Sequence, residues 1–182
     1  FQTKLRKINL GFFKDQVIET KHLNGINSYV LPTNVKDVVT ISGSILGGTL
    51  YSPSKNPQIS TFTTAMLDKG TSNKDKYEIS DALDSVGAEL KFGCTKHHIY
   101  FTGHCLNSDV NMVIEILADQ LKTPAFGNDE IDKLKTRMIG QLEQSLEDTK
   151  KQALISFLRI LYPKNHPNYR YKTEENLNFI KA

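Results

Sequence analysis

Five histidines are the first residues to test for chemistry: His22, His97, His98, His104 and His166. His98 and His104 share a face of the strand-patterned run HHIYFTGHC. They lie six residues apart, which at ~3.3 Å per residue is about 20 Å, too far to share a metal ion. His97 and His98 point to opposite faces of the same strand. No spacing in the chain resembles a histidine ligand pair, so the histidines read as sheet-surface or hydrogen-bonded residues. Cys105 follows His104, but strand neighbours face away from each other and cannot form a thiolate–imidazole pair. The only other cysteine is Cys94, and the two read as free, partly buried thiols.

Nucleophile and phosphate motifs are missing as well. No serine stands in G-x-S-x-G. The run ISGSILGG contains Gly43, Gly47 and Gly48, but it matches neither dinucleotide-binding nor P-loop spacing. Its glycines serve strand packing and an exit turn. The carboxylate pairs Asp81–Asp84, Glu143–Glu147 and Asp129–Glu130 sit at helical spacing opposite apolar stripes or near helix starts, where solvation accounts for them.

Periodicity supplies the elements that would position these groups. DQVIETKHLNGINSYVLP holds two β-rich runs around the hairpin dipeptide Asn24-Gly25. KDVVTISGSILGG alternates at strand period. From Gln58 to Lys69 the period turns helical, with Ile59, Phe62, Ala65 or Met66, and Leu67 on one apolar face. Ser72 and Asp75 have the spacing of a capping box for the next helix, which stops at Gly87. AELKFGC and HHIYFTGHC read as strands, and Asn107 or Ser108 caps a helix that Pro124 ends. A long helix starts at Asn128, a second ends at Pro163 and a last begins near Thr173. The order predicts an α+β fold, an antiparallel sheet with helices packed on one face, as a single domain over 1–182.

Composition narrows the classes. The 182 residues carry a net charge of +3, with 38% hydrophobic and 24% charged side chains. That is the composition of an ordinary globular chain. Lysines are interspersed with acidic residues, so no basic stripe points to a nucleic-acid partner. No apolar run approaches the ~20 residues of a membrane helix. The chain starts without Met and stops two turns into a helical run, KTEENLNFIKA, which reads as a piece of a longer chain with a truncated C-terminal end.

One segment carries more. TFTTAMLDKGT, residues 61–71, resembles the H-F-L-E-H-M-L-F-K-G-T segment of the inverted-zincin peptidases, the pitrilysin, insulin-degrading and mitochondrial-processing-peptidase family. YEISDALDSVGAELKFGC resembles the helix and strand that follow in that family. HIYFTGHCLNSDVNMVIEILADQLKTPAFGNDEIDKLK resembles its next strand, its L-A-D-x-L-x-x-P-x-F helix and the start of its long helix. LYPKNHPNYRYKTEEN resembles its F-P-x-x-H-P-Y loop. The likeness extends over about residues 17–182 in family order.

The departures decide what the resemblance implies. Thr61 stands at the first histidine position, Thr64 at the glutamate and Ala65 at the second histidine. The distal glutamate position falls on Gln141 of MIGQLEQ. Glu143 is two residues away, which turns it by about 200° around a helix. A catalytic zinc needs three protein ligands, and the general base is replaced too. The resemblance therefore implies the non-catalytic half of a bacterial zinc protease, with no metal, cofactor or catalytic residue of its own. Zinc is expected only in an active peptidase half, on the same chain or in a paired subunit, with which the domain encloses and binds a peptide substrate. A purely structural role, as in the core subunits of respiratory complexes, is the alternative. A new site built from His98, Cys105 or His166 is the third reading, and it lacks clustering. Strand addition to the edge of 38–46, with Gly47 and Gly48 at its exit, is the substrate contact the resemblance implies. Family likeness also implies a periplasmic or exported protein, with a cytoplasmic one as the alternative.

Overall fold

In the computed structural model, residues 13–52, 56–164 and 166–181 are described. The chain divides into two units, 1–37 and 38–182. In the first, Asn24-Gly25 does what hairpin chemistry predicts. Gly25 adopts a φ of 86°, and the Asn24 side-chain oxygen accepts from the Ile26 N–H at 3.2 Å. Around that turn β1 (Ile18–Lys21) pairs antiparallel with β2 (Asn27–Val30).

The second unit is built on three antiparallel strands in the order β3-β5-β4. These are β3 (Val38–Leu46), β4 (Glu89–Cys94) and β5 (His98–Leu106). Register sets the faces, because side chains alternate along each strand. Val39 lies opposite Cys105, and Ile41 opposite Gly103, which in turn faces Leu90. Val39, Ile41, Leu90 and Cys105 thereby turn one face toward the helices. Thr40, Ser42, Lys91, His98, Thr102 and His104 fall on the other face and are exposed. This is the α+β arrangement the sequence predicts, with its helices against one side of the sheet.

Two helices close the core on that face. α2 (Lys76–Ser85) contributes Ile79 and Leu83, and α3 (Val110–Lys122) contributes Val113 and Ile116. Each such aliphatic side chain contributes about 1.5–3 kcal/mol when fully buried. Local signals fix the ends of α2. At its start Asp75, not Ser72, is the N-cap. The Asp75 carboxylate accepts from the N–H groups of Tyr77 at 2.7 Å and Glu78 at 2.9 Å. Glu78 accepts in return from the Asp75 N–H at 2.8 Å. The expected Ser72–Asp75 box fails because the Ser72 N–H is already given to the Thr123 carbonyl. At its end Gly87 takes a φ of 63°. That lets Ala88 donate to the Leu83 carbonyl and Gly87 to the Asp84 carbonyl, closing a Schellman motif.

The cap expected for α3 also shifts. Asn107 to Asp109 form a 3-10 turn, and the N-cap is Asp109, which makes no side-chain cap bond. α4 (Asn128–Leu146) starts where predicted and packs against α1 (Ile59–Met66), α5 (Thr149–Leu161) and α6 (Thr173–Lys181). Helix α1 is shorter than its periodicity suggests. Its last turn tightens, with Leu67 donating to Thr64 and Lys69 to Met66. Met66 and Leu67 of the expected stripe are buried, but Ile59 is 42% exposed and the polar Ser60 and Thr64 are buried too. The reason is that α1 is covered from two directions, by β4 and by α4. Among the described residues no helix is long and apolar enough to cross a membrane.

Candidate functional site

One face of α1 carries Thr61, Thr64 and Ala65. Positions three and four apart share a helix face, so the helix does present these side chains together. Thr64 is buried, and its hydroxyl donates back to the Ser60 carbonyl at 2.8 Å. Ser60 anchors the helix start. Its N–H donates to the Ser52 hydroxyl at 3.1 Å, and its own hydroxyl donates to the Gly48 carbonyl at 3.1 Å.

Opposite these threonines stands Cys94, the last residue of β4. Burial pushes the Cys94 thiol up, and the hydroxyls of Thr64 and Thr61 and the Thr49 N–H act in the opposite direction. The thiol itself donates to the Thr95 carbonyl at 3.3 Å. In the sequence Cys94 is an isolated thiol. The strand period places it with Leu90 and Phe92 on the helix-covered face, but only packing shows that α1 lies over it.

Gln141 lies on α4, which packs against α1, and it is exposed, as is Glu143. The donors at the motif positions are thus two hydroxyls and a carboxamide, with a methyl group at Ala65 and one sulfur nearby. Zinc is held by imidazole nitrogen, thiolate and carboxylate, and this set does not fit it. Among the described residues no three His, Cys, Asp or Glu side chains converge on a point that could hold a metal ion.

The histidines are scattered, as their spacing implies. His22 shares a hydrogen bond with the Ser28 hydroxyl at 2.9 Å. His104 stands on the exposed sheet face with Nδ1 3.8 Å from the Glu89 carboxylate, its partner across the strands. Lys91 is bonded to the same carboxylate and, with a smaller contribution from His104, holds Glu89 below the usual range against the opposing effect of burial. Cys105 is buried in the core on the other face of the same strand, where burial pushes its thiol up and Asp109 adds to the shift. His104 and Cys105 are therefore separated by the sheet. His166 stacks on Tyr162 at 4.3 Å between ring centroids, and its Nδ1 accepts from the Asn168 N–H at 3.0 Å.

Gly47 and Gly48 have structural work. The Gly47 N–H donates to the His97 carbonyl. Gly48 is buried, and a Cβ there would overlap the backbone of Lys96 and His97 in the β4–β5 turn. Past Gly48, Thr49 and Leu50 donate to the carbonyls of Thr95 and Lys96. Along β3, hydrogen-bonded pairing occurs on the β5 side, and among the described residues its other edge has no strand partner.

Comparison with known proteins places this geometry. The family model Insulinase (Peptidase family M16) matches residues 29–167. An uncharacterized zinc protease of Mycobacterium leprae is 26% identical over 106 residues, covering 58% of this chain and 24% of that protein. Mouse cytochrome b-c1 complex subunit 1, a mitochondrial protein, is 24% identical over 106 residues, covering 58% of this chain and 22% of its own length. The matched region thus spans about a quarter of these relatives. Among solved structures, a peptidase M16 inactive domain from Pseudomonas fluorescens superposes with a TM-score of 0.79 at 17% identity, covering 90% of this chain and 42% of that one. The fold is shared with that domain, and the family match covers most of the chain: it belongs to the insulinase family, peptidase family M16.

Proposed function

We propose that this chain is a non-catalytic peptidase-fold domain that pairs with an active, zinc-bearing half and helps enclose a peptide substrate. One observation carries the reading. The helix face that would present two histidines and a glutamate presents Thr61, Thr64 and Ala65, and Thr64 is buried and bonded to its own helix. Gln141 on the neighbouring helix supplies no carboxylate. Likeness to zinc proteases and to a solved inactive domain supports the pairing. The domain needs no cofactor in this role, and zinc belongs to the partner. Its place of work, on the same reading, is the bacterial periplasm or beyond.

A second reading has its own support: similarity to a respiratory-complex subunit favours a purely structural role. Metal analysis of the purified chain, with a cleavage assay on an unstructured peptide, tests the first reading. The expected result is substoichiometric zinc and no cleavage by the chain alone, with cleavage rising when an active family member that pairs with it is added. Stoichiometric zinc with cleavage by the chain alone would overturn it. Stable pairing without any effect on cleavage would favour the structural role.

A further inference from the structure

A cleft of about 680 Å³ lies in the second unit, lined on one side by Thr49, Leu50 and Gln58, the residue before α1. Four cationic side chains line it: Lys96 from the β4–β5 turn, Lys151 from the first turn of α5, and Lys164 and Arg170 from the loop between α5 and α6. Among the described residues no Asp or Glu lines it. Glu175 on α6 does not line it but accepts from Arg159 at 2.6 Å and from the Lys172 N–H at 2.7 Å, and its charge also acts on Lys164. Low-dielectric walls around charge of one sign strengthen its field and raise the local concentration of counter-charged ligand.

The floor is apolar. Leu154, Ile155 and Leu158 of α5 form it, and Leu154 is 56% exposed, an aliphatic side chain left open to solvent. The walls are held in place by the loop's own bonds. His166 donates its N–H to the Pro163 carbonyl at 2.8 Å and Tyr169 to the His166 carbonyl at 2.9 Å. Tyr169 and Tyr171 meet edge to face at 5.3 Å, and Lys96 bonds to the Asn168 side chain. A free inorganic anion has no use for the aliphatic floor, and an uncharged apolar ligand has none for four cations. A peptide carrying both carboxylates and aliphatic side chains uses both.

We propose that this cleft binds an acidic segment of a peptide, its carboxylates on Lys151, Lys164 and Arg170 and its aliphatic side chains on the α5 floor. This inference rests on the peptide-enclosing role and assigns a substrate preference to it. The test is fluorescence anisotropy of the whole chain with labelled, unstructured peptides of alternating Glu and Leu, and with matched Gln–Leu peptides. The Glu peptide should bind at least about tenfold more tightly. Its affinity should fall several-fold as salt rises from about 0.05 to 0.5 M, because exposed charges are screened over shorter distances. The double substitution K151E/R170E should remove the preference without lowering Tm or the affinity for the Gln peptide. Equal binding of Glu and Gln peptides would overturn the cleft assignment while leaving peptide binding intact. No binding of either would overturn both the assignment and the peptide-enclosing role. Tripolyphosphate binding without peptide binding would identify an inorganic-anion site and overturn the proposal. Loss of Tm in K151E/R170E moves that arm to single K151Q and R170Q variants, each expected to weaken the Glu peptide at least about twofold.

Discussion

On the proposed reading, replacing Thr64 by Glu puts back the general base of the resembling motif, at a position that is now buried. Thr64 is 3% exposed, lies against Cys94 and bonds to the Ser60 carbonyl. The longer side chain overfills the site, at about 1–3 kcal/mol. Its carboxyl is buried with unmet hydrogen-bonding capacity, at about 1–3 kcal/mol more. Taking the middle of each range, T64E loses about 4 kcal/mol, which for a chain of this size lowers Tm by about 12 °C. A buried carboxyl has its pKa raised above the unfolded value of about 4.3. Its penalty therefore grows as pH rises above that value, and T64E should lose less stability at pH 4 than at pH 7. Urea unfolding followed by circular dichroism at both pH values measures this. Thr64→Val is the control, keeping shape and removing one hydrogen bond, for about 1 kcal/mol or less. A T64E protein within about 1 kcal/mol of the parent at pH 7 would refute the claim that packing has closed over the motif.

Asp75→Ala removes both bonds that cap α2 and the return bond from Glu78 loses its geometry, so D75A should cost about 1–2 kcal/mol in urea unfolding. Hydrogen bonds from Lys76 at 2.6 Å and, next in effect, Lys133 at 2.9 Å hold the Glu130 carboxyl at about 2, down from 4.5. A depressed carboxylate pKa gives stability that is present above 4.5 and lost as pH falls toward 2. Acid titration should therefore flatten in E130Q across that window, and an unchanged acid limb would contradict the assignment. Gly48→Ala should destabilise by about 2 kcal/mol, since the added carbon meets the Lys96–His97 backbone and displaces the two hydrogen bonds beyond it. A neutral G48A would show that the backbones are not so close.

The strands and helices were legible because their signals are local. Asn24-Gly25 makes a turn wherever it stands, Gly87 ends a helix by its own conformational freedom, and β3 and β5 announce their faces by alternation. That alternation by itself puts His104 and Cys105 on opposite sides of the sheet. The residues that the family resemblance aligns with the motif, Thr61, Thr64, Ala65 and Gln141, are likewise read from sequence, and their side-chain chemistry does not depend on the fold. The cap of α2 was not legible in the same way. Choosing between Ser72 and Asp75 depends on Thr123, a residue at another helix's end that claims the Ser72 N–H.

Tertiary structure decided the rest. Amphipathic periodicity assumes one buried side per helix, whereas α1 is covered by both β4 and α4, so its small polar residues are buried and Ile59 is not. Cys94 meets Thr61 and Thr64 only because β4 runs beneath α1. The cationic cleft joins Lys96 to Lys151, Lys164 and Arg170, which are far from it along the chain. No local pattern encodes such a cluster. A charge in the sequence has a sign but no neighbours, and its field becomes specific only when packing brings like charges around one apolar floor.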